Sequence, residues 1–255
     1  MATTKRAKSP AAALGQTPAN KLNGKAISAR ASGTPEARET ARLLLEIEAI
    51  HCRPDNPYIF TSGRASPVYI DCRKLISFPE ARAKIMNHAL KSIEKSIGWS
   101  KIDVVAGGET AGIPFAAWVA DRLHLPMQYV RKKPKGFGRG AQIEGQLIPG
   151  QRVLLVEDLA TDGRSKINFV KAIRDAGGSC DHCTVLFFYD IYPEGRKILA
   201  DIGVTLHYLT TWWDVLAVAK ASGKFEPALL AEVEKFMHDP AGWSKAHGGV
   251  AEVAD

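Results

Sequence analysis

Five short apolar runs, spaced so that helices fit between most of them, constrain this chain more than any other feature. They are IDVVAG (102–107), MQYVR (127–131), VLLVED (153–158), TVLFFY (184–189) and VTLHYL (204–209). Helical segments lie between them, from about Thr110 to Leu123, from the turn ATDGRS to about Ala176, and over Pro193–Ile202. Strands alternating with helices over about 110 residues imply βαβ units and a mainly parallel sheet. VLLVE and TVLFFY are continuously apolar rather than alternating, as expected when helices cover both faces of the sheet. The expected fold class is therefore α/β, with a mainly parallel five-stranded sheet and flanking helices. Ligands on such sheets collect beyond the C-terminal ends of strands, where strand order switches. That directs attention to the residues after Val105, Val130, Val156 and Phe188.

Before this region, Pro35 and Glu36 open a helix whose Leu43, Leu44, Ile47 and Ile50 share one face. A Pro-rich break leads to PVYID (67–71), which has strand composition, and Pro79 starts a helix to about Ile97. Helical stretches at about 212–221 and 226–237 precede a Gly/Ala tail, so 36–238 is expected to be one domain and 239–255 flexible.

The segment VLLVEDLATDGRS carries the clearest chemistry. A buried strand delivers Glu157 and Asp158 to its C-terminal end, and the turn Leu159–Gly163 feeds a helix start near Arg164 and Ser165. Unpaired backbone N–H groups and the positive dipole end at a helix start bind phosphate. Gly163 lets an anion approach the backbone, and Thr161 and Ser165 add hydroxyl donors. Two acids beside an anion site need another purpose, and accepting hydrogen bonds from ribose 2′ and 3′ hydroxyls supplies one. The plainer alternative is that Glu157 and Asp158 only cap the helix. The Walker pattern is absent, and Gly136-Phe-Gly138-Arg-Gly140 lacks G-x-G-x-x-G spacing. The loop from Arg131 through Lys132, Lys133 and Lys135 to Arg139 concentrates cations and glycines. It suits a pyrophosphate, although a solvated loop or an RNA contact would look similar.

The formal charge of +7 is misleading as a sign of nucleic-acid binding. Residues 1–35 hold Lys5, Arg6, Lys8, Lys21, Lys25 and Arg30 and no acid, which leaves 28 basic against 27 acidic residues elsewhere. A nearly neutral remainder gives no electrostatic footprint for DNA or RNA. That first segment is expected to be disordered, with a transit peptide as the alternative. No run approaches the roughly 18–20 apolar residues of a membrane span. Cys52, Cys72, Cys180 and Cys183 are too few for a disulfide scaffold and fit a reducing, cytoplasmic setting. Cys180-Asp-His-Cys183 is read as a structural pair ahead of a strand. Trp212 and Trp213 are read as packing residues, and His51, His88, His124, His182 and His207 show no metal spacing.

VLLVEDLATDGRS resembles the phosphoribosyl pyrophosphate (PRPP) signature of the type I phosphoribosyltransferases. FTSGRASPVYIDCRKLISFPEAR (60–82), AGGETAGIPFA (106–116) and YVRKKPKGFGRGAQIEGQL (129–147) narrow the likeness to the orotate phosphoribosyltransferases, from about Leu43 to Leu216. The resemblance implies a small hood over the sheet and transfer of the phosphoribosyl group from PRPP to orotate with Mg²⁺. No metal ligand is then expected directly from the protein. It further implies that Arg131, Lys132 and Lys135 contact pyrophosphate, with the mobile loop reaching into the partner's site of a homodimer. Glu157, Asp158, Leu159, Ala160, Thr161, Asp162, Gly163, Arg164 and Ser165 would bind PRPP; Lys132, Lys135 and Asp158 would be catalytic. Orotate would meet Thr161, the backbone of Tyr69 and Ile70, and Arg64 or Arg73. The chain departs from the pattern at Phe137 (often histidine), Ala111 and Thr61 (often lysine), and Tyr189-Asp190, where an arginine is common. These changes bear on the base. A phosphoribosyltransferase for another base and a PRPP-sensing regulator therefore remain as alternatives.

Overall fold

The structure, a computed structural model, describes residues 33–134 and 142–251. In chain order its elements are α1 (Pro35–Glu46), β1 (Ile50–Cys52), β2 (Tyr58–Ile59), β3 (Ala65–Ser66), β4 (Val68–Ile70), α2 (Pro79–Ser96) and β5 (Val104–Gly108). Next come α3 (Gly112–Leu123), β6 (Met127–Val130), β7 (Ile143–Glu144), β8 (Arg152–Ala160), α4 (Arg164–Asp175) and β9 (Ser179–Phe188). The chain finishes with α5 (Lys197–Asp201), β10 (Thr205–Thr211), α6 (Trp212–Ser222), α7 (Pro227–His238) and α8 (Pro240–Ala246). The main sheet has the order β10-β9-β8-β5-β6-β7, parallel except for β7 at its edge. Its five parallel strands are the five apolar runs. The two-residue β7, too short to read by periodicity, adds a sixth. Two antiparallel pairs, β1–β4 and β2–β3, form the small hood ahead of the sheet.

Alternation along β8 explains why both faces are covered. Leu154 and Val156 enter one apolar cluster with residues of α1, α2, α3, α6 and α7, whereas Val153 and Leu155 enter a second with residues of α4. Local caps fix the helix ends. Thr34 accepts a hydrogen bond from Ala37 N ahead of Pro35, and Thr211 and Asp214 form a reciprocal capping box at α6.

Three boundaries differ from expectation. β9 begins at Ser179 rather than Thr184 because its first residues pair with Arg152 and Leu154 of β8, so Cys180 and Cys183 lie inside the strand as buried free thiols. The expected helix over Pro193–Ile202 splits into a 3-10 turn, Pro193–Arg196, which contains Gly195, and α5. The stretch expected to be a flexible tail contains α8. Asp239 caps it, and Trp243 is anchored by Nε1 donating to Glu232 Oε1 at 2.8 Å. Trp212 is a core residue, edge-on to Phe187 and Tyr189. Among the described residues, no helix is long and apolar enough to cross a membrane.

Candidate active site

From β5 the chain moves outward to β6 and β7, then returns to the other side of β5 as β8 and continues to β9 and β10. The switch in strand order therefore lies between β5 and β8. The loop after β5, Glu109 to Ala111, faces the end of β8, Glu157 to Ala160, across this crevice. A cis peptide joins Glu109 and Thr110. Two cavities open here, of about 690 and 600 Å³, and Arg73 and Ala111 line both.

Glu157 and Asp158 leave β8 on opposite faces, as neighbours in a strand must. The Glu157 carboxyl lies in the larger cavity at the start of α4. There Oε2 stands 3.4 Å from Lys166 Nζ with both side chains almost wholly buried, and Oε1 has no hydrogen-bond partner. A Cβ on Gly108 or Gly112 would come within 2.2 Å of Oε1, so both approaches need glycine. Burial pushes the Glu157 carboxyl up to about 7, against the pull of Lys166 and with a further push from Asp158. Asp158 opens into the second cavity, and burial raises its carboxyl too, opposed chiefly by Lys166. Neither acid caps the helix: α4 has Gly163 at its N-cap, φ 88°, with no side-chain cap bond. The first amide of α4, Arg164 N, instead donates to Asp162 Oδ1 at 3.1 Å, within the turn Thr161–Gly163.

The second cavity collects most of the residues singled out by sequence. Arg64, Tyr69, Ile70, Arg73, Thr161 and Asp162 line it together, as do Leu159, Arg164 and the substituted positions Thr61, Ala111 and Tyr189. Ser165 lines the first cavity instead. Ala160 is buried, and Gly163 holds the turn without lining either space. Arg73 is tied to Asp71 at 2.8 Å and donates to the Tyr69 hydroxyl at 3.4 Å. Arg64 is more deeply set. Its guanidinium lies 4.5 Å from the Tyr192 ring centroid and 3.4 Å from Glu194, and its Nε is buried without a hydrogen-bond partner. Asp190, where the family often has arginine, grips Arg196 through two hydrogen bonds, of 2.7 and 2.5 Å.

Of the basic loop, Lys132 lines the first cavity. Its backbone is fixed at both ends: N donates to Glu109 Oε2 at 2.8 Å, and O accepts from Asn168 Nδ2 at 2.8 Å. Arg131 turns away to Glu144 of β7, 3.6 Å distant, and does not line either cavity. Lys135, Phe137 and Arg139 lie outside the described residues. Sequence reading missed Lys166, Glu109 and Asn168. A lysine in the first turn of a helix reads as solvated surface, and only the tertiary ion pair reveals Lys166. Among the described residues, no cluster of three or more His, Cys, Asp or Glu could hold a metal ion. Mg²⁺ needs no such cage, since it binds through one or two carboxylates plus substrate oxygens.

Residues 78–207 match the phosphoribosyl transferase domain family. That family is the class into which the sheet order and the strand-to-helix turn after β8 place the chain. The orotate phosphoribosyltransferase of Roseobacter denitrificans is 57% identical over 220 residues, covering 85% of this chain and 98% of its own length. That of Cereibacter sphaeroides is 59% identical over 210 residues, 82% of this chain and 90% of its own. Among solved structures, the orotate phosphoribosyltransferase of Aeropyrum pernix superposes with TM-score 0.61 at 29% identity, covering 71% of this chain and 99% of its own. Leishmania donovani UMP synthase gives TM-score 0.67 at 25% identity, over 79% of this chain and 42% of its own. The chain belongs to the phosphoribosyl transferase family, in its orotate phosphoribosyltransferase branch.

Proposed function

We propose that this chain is a pentosyltransferase that moves the phosphoribosyl group of PRPP onto orotate, giving orotidine 5′-monophosphate and pyrophosphate in de novo pyrimidine synthesis. The observation that carries the reading is the pair of cavities meeting at Arg73 and Ala111 over the strand switch. One offers Lys132, Glu157 and Ser165; the other offers Asp158, the turn at Thr161 and an arginine against an aromatic wall. The relatives' names supply the base.

In this reading the turn Thr161–Ser165 and the α4 N-terminus hold the 5′-phosphate. Glu157 and Asp158 accept the ribose hydroxyls from either side of β8. Lys132, with Lys135 and Arg131 from the same loop, neutralises pyrophosphate as the bond between it and the anomeric carbon breaks. The new bond forms to orotate N1, whose proton departs to solvent or pyrophosphate. Arg131 must leave Glu144 to take part. Mg²⁺ bound with PRPP would neutralise part of the negative charge that develops on pyrophosphate. The base lies against Tyr69 and Ile70, with Thr161 at its edge. Arg64 suits its carboxylate better than Arg73, because Arg73 is already engaged by Asp71 whereas Arg64 keeps a free buried donor. A cytoplasmic homodimer sharing the basic loop completes the proposal.

The test is to incubate purified protein with PRPP, Mg²⁺ and orotate and follow the loss of orotate absorbance. Turnover is expected. No turnover, while hypoxanthine, adenine or uracil is consumed, would assign the chain to another base.

A further inference from the structure

We infer that the C-terminal segment Pro240–Val250 is a strap that positions the turn Phe60–Arg64, and so sets the affinity of the second cavity for a pyrimidine carboxylate. This rests on the proposed orotate reaction. The turn belongs to the β2–β3 hairpin, which pairs Tyr58 with Ser66 and Ile59 with Ala65 and is closed by Phe60 N donating to Arg64 O at 2.9 Å and Gly63 N to Phe60 O at 2.8 Å. A hairpin of that length has little stability of its own and needs outside support. Yet it delivers Phe60, Thr61, Ser62 and Arg64 to the cavity wall.

The support comes from far along the chain. Ala65 N, next to Arg64, donates to Ser244 Oγ at 2.9 Å, and Ser244 Oγ donates to Val250 O at 2.6 Å. Val250 N in turn donates to Gly63 O at 3.0 Å, so Ser244 and Val250 grasp the backbone on either side of Arg64. Gly249 is needed where they cross, since a Cβ there would lie 2.3 Å from Ala65 N. Ser244 is only 1% exposed, so these bonds are shielded from water. The strap is itself held. Trp243 bonds to Glu232 of α7, meets the buried Phe236 edge-on at 5.5 Å, and stacks on His247 at 3.7 Å. A continuous path therefore runs from the apolar core through α7 and α8 to the arginine at the base side of the cavity. It bypasses the turn Thr161–Ser165 and the loop bearing Lys132. For that reason the strap is a positioning element for the base and not for PRPP.

The experiment compares the full-length protein with Ser244→Ala, Gly249→Ala and a chain ending at Asp239, measuring KM for orotate and for PRPP separately. Hydrogen exchange over residues 58–66 is followed in the same proteins. Ser244→Ala is expected to raise KM for orotate about fivefold, the scale of one lost shielded hydrogen bond, to leave KM for PRPP within about twofold, and to speed exchange in the hairpin. Equal rises in both constants, or no change in either, would overturn the strap. Failure of the unaltered protein to use orotate would instead remove the proposed function. Exchange at the hairpin would still decide whether the strap holds it, with unchanged exchange in Ser244→Ala counting against it. Should the truncated chain fail to fold, the two point variants carry the test.

Discussion

An ion pair sealed from water, such as Lys166 with Glu157, stabilises little compared with an apolar pair but is costly to break from one side. Lys166→Met would leave the Glu157 carboxyl against Gly108 and Gly112 without its ion-pair partner. The expected result is a loss of about 3–5 kcal/mol of stability, together with a raised KM for PRPP. The double variant Glu157→Gln with Lys166→Met should lose less than the two singles combined. Additive losses in thermal or urea unfolding would show that the pair is not coupled. The Glu157 carboxyl also predicts opposed pH slopes. Its folded value, about 7, lies above the ordinary 4.5, so the folded chain holds this proton more tightly than the unfolded one. Its contribution to stability is therefore full at acid pH, declines as pH rises from about 4.5 to about 7, and is flat beyond. Ribose hydroxyls need the ionised acceptor, so PRPP affinity should instead increase over the upper part of that window. Melting curves and PRPP titrations between pH 5 and 8 would test this, with Glu157→Gln expected to flatten both slopes. Parallel slopes in melting and affinity would sink the assignment.

The turn between β8 and α4 joins the best-read part of the sequence to the site. Gly163 sits at φ 88°, and a Cβ there would also press on Leu199 at 3.3 Å. Gly163→Ala should cost about 1–2 kcal/mol and weaken PRPP more than orotate, because it displaces the amides at the start of α4. Binding of each substrate by calorimetry would check the difference, and equal weakening would argue against a phosphate site. Elements like β8 are legible because Val153 to Val156, buried on both faces, leave a continuous apolar run, and because two acids, then T-D-G-R-S two residues on, break it abruptly. β2, β3 and β7 are not, since two-residue strands carry no period, and what stabilises β3 is a serine 179 positions away. α8 escaped for a similar reason. Gly242 and a proline start suggest a tail, and only Trp243 seated on α7 makes the segment worth ordering. The resemblance puts Arg131 beside Lys132 at pyrophosphate, but just past β6 the two side chains part, Arg131 to Glu144 and Lys132 to the cavity.

On the scale of the whole molecule, the open question is which subunit's site the basic loop serves. Its root is fixed at home, since the backbone of Lys132 is held between Glu109 after β5 and Asn168 of α4. A loop rooted beside one crevice can close over that crevice or cross to a neighbouring copy. The proposed homodimer takes the second course for Lys135, and mixing two inactive proteins separates the cases. Lys135→Ala should lack the loop cation and Asp158→Asn the ribose acceptor, so each alone is expected to lose most of its turnover. If the loop crosses, a mixed dimer carries both defects in one site and neither in the other. After subunit exchange, half of the dimers are mixed and half of their sites are whole, so activity should return to about a quarter of the unaltered enzyme. If each loop serves its own site, every site in the mixture retains one defect and no activity returns. Turnover measured before and after exchange, alongside a sizing measurement of the dimer, distinguishes the two. Recovery would also show that the site needs two chains to be complete, whereas its absence would confine catalysis to the crevice between β5 and β8 of a single chain.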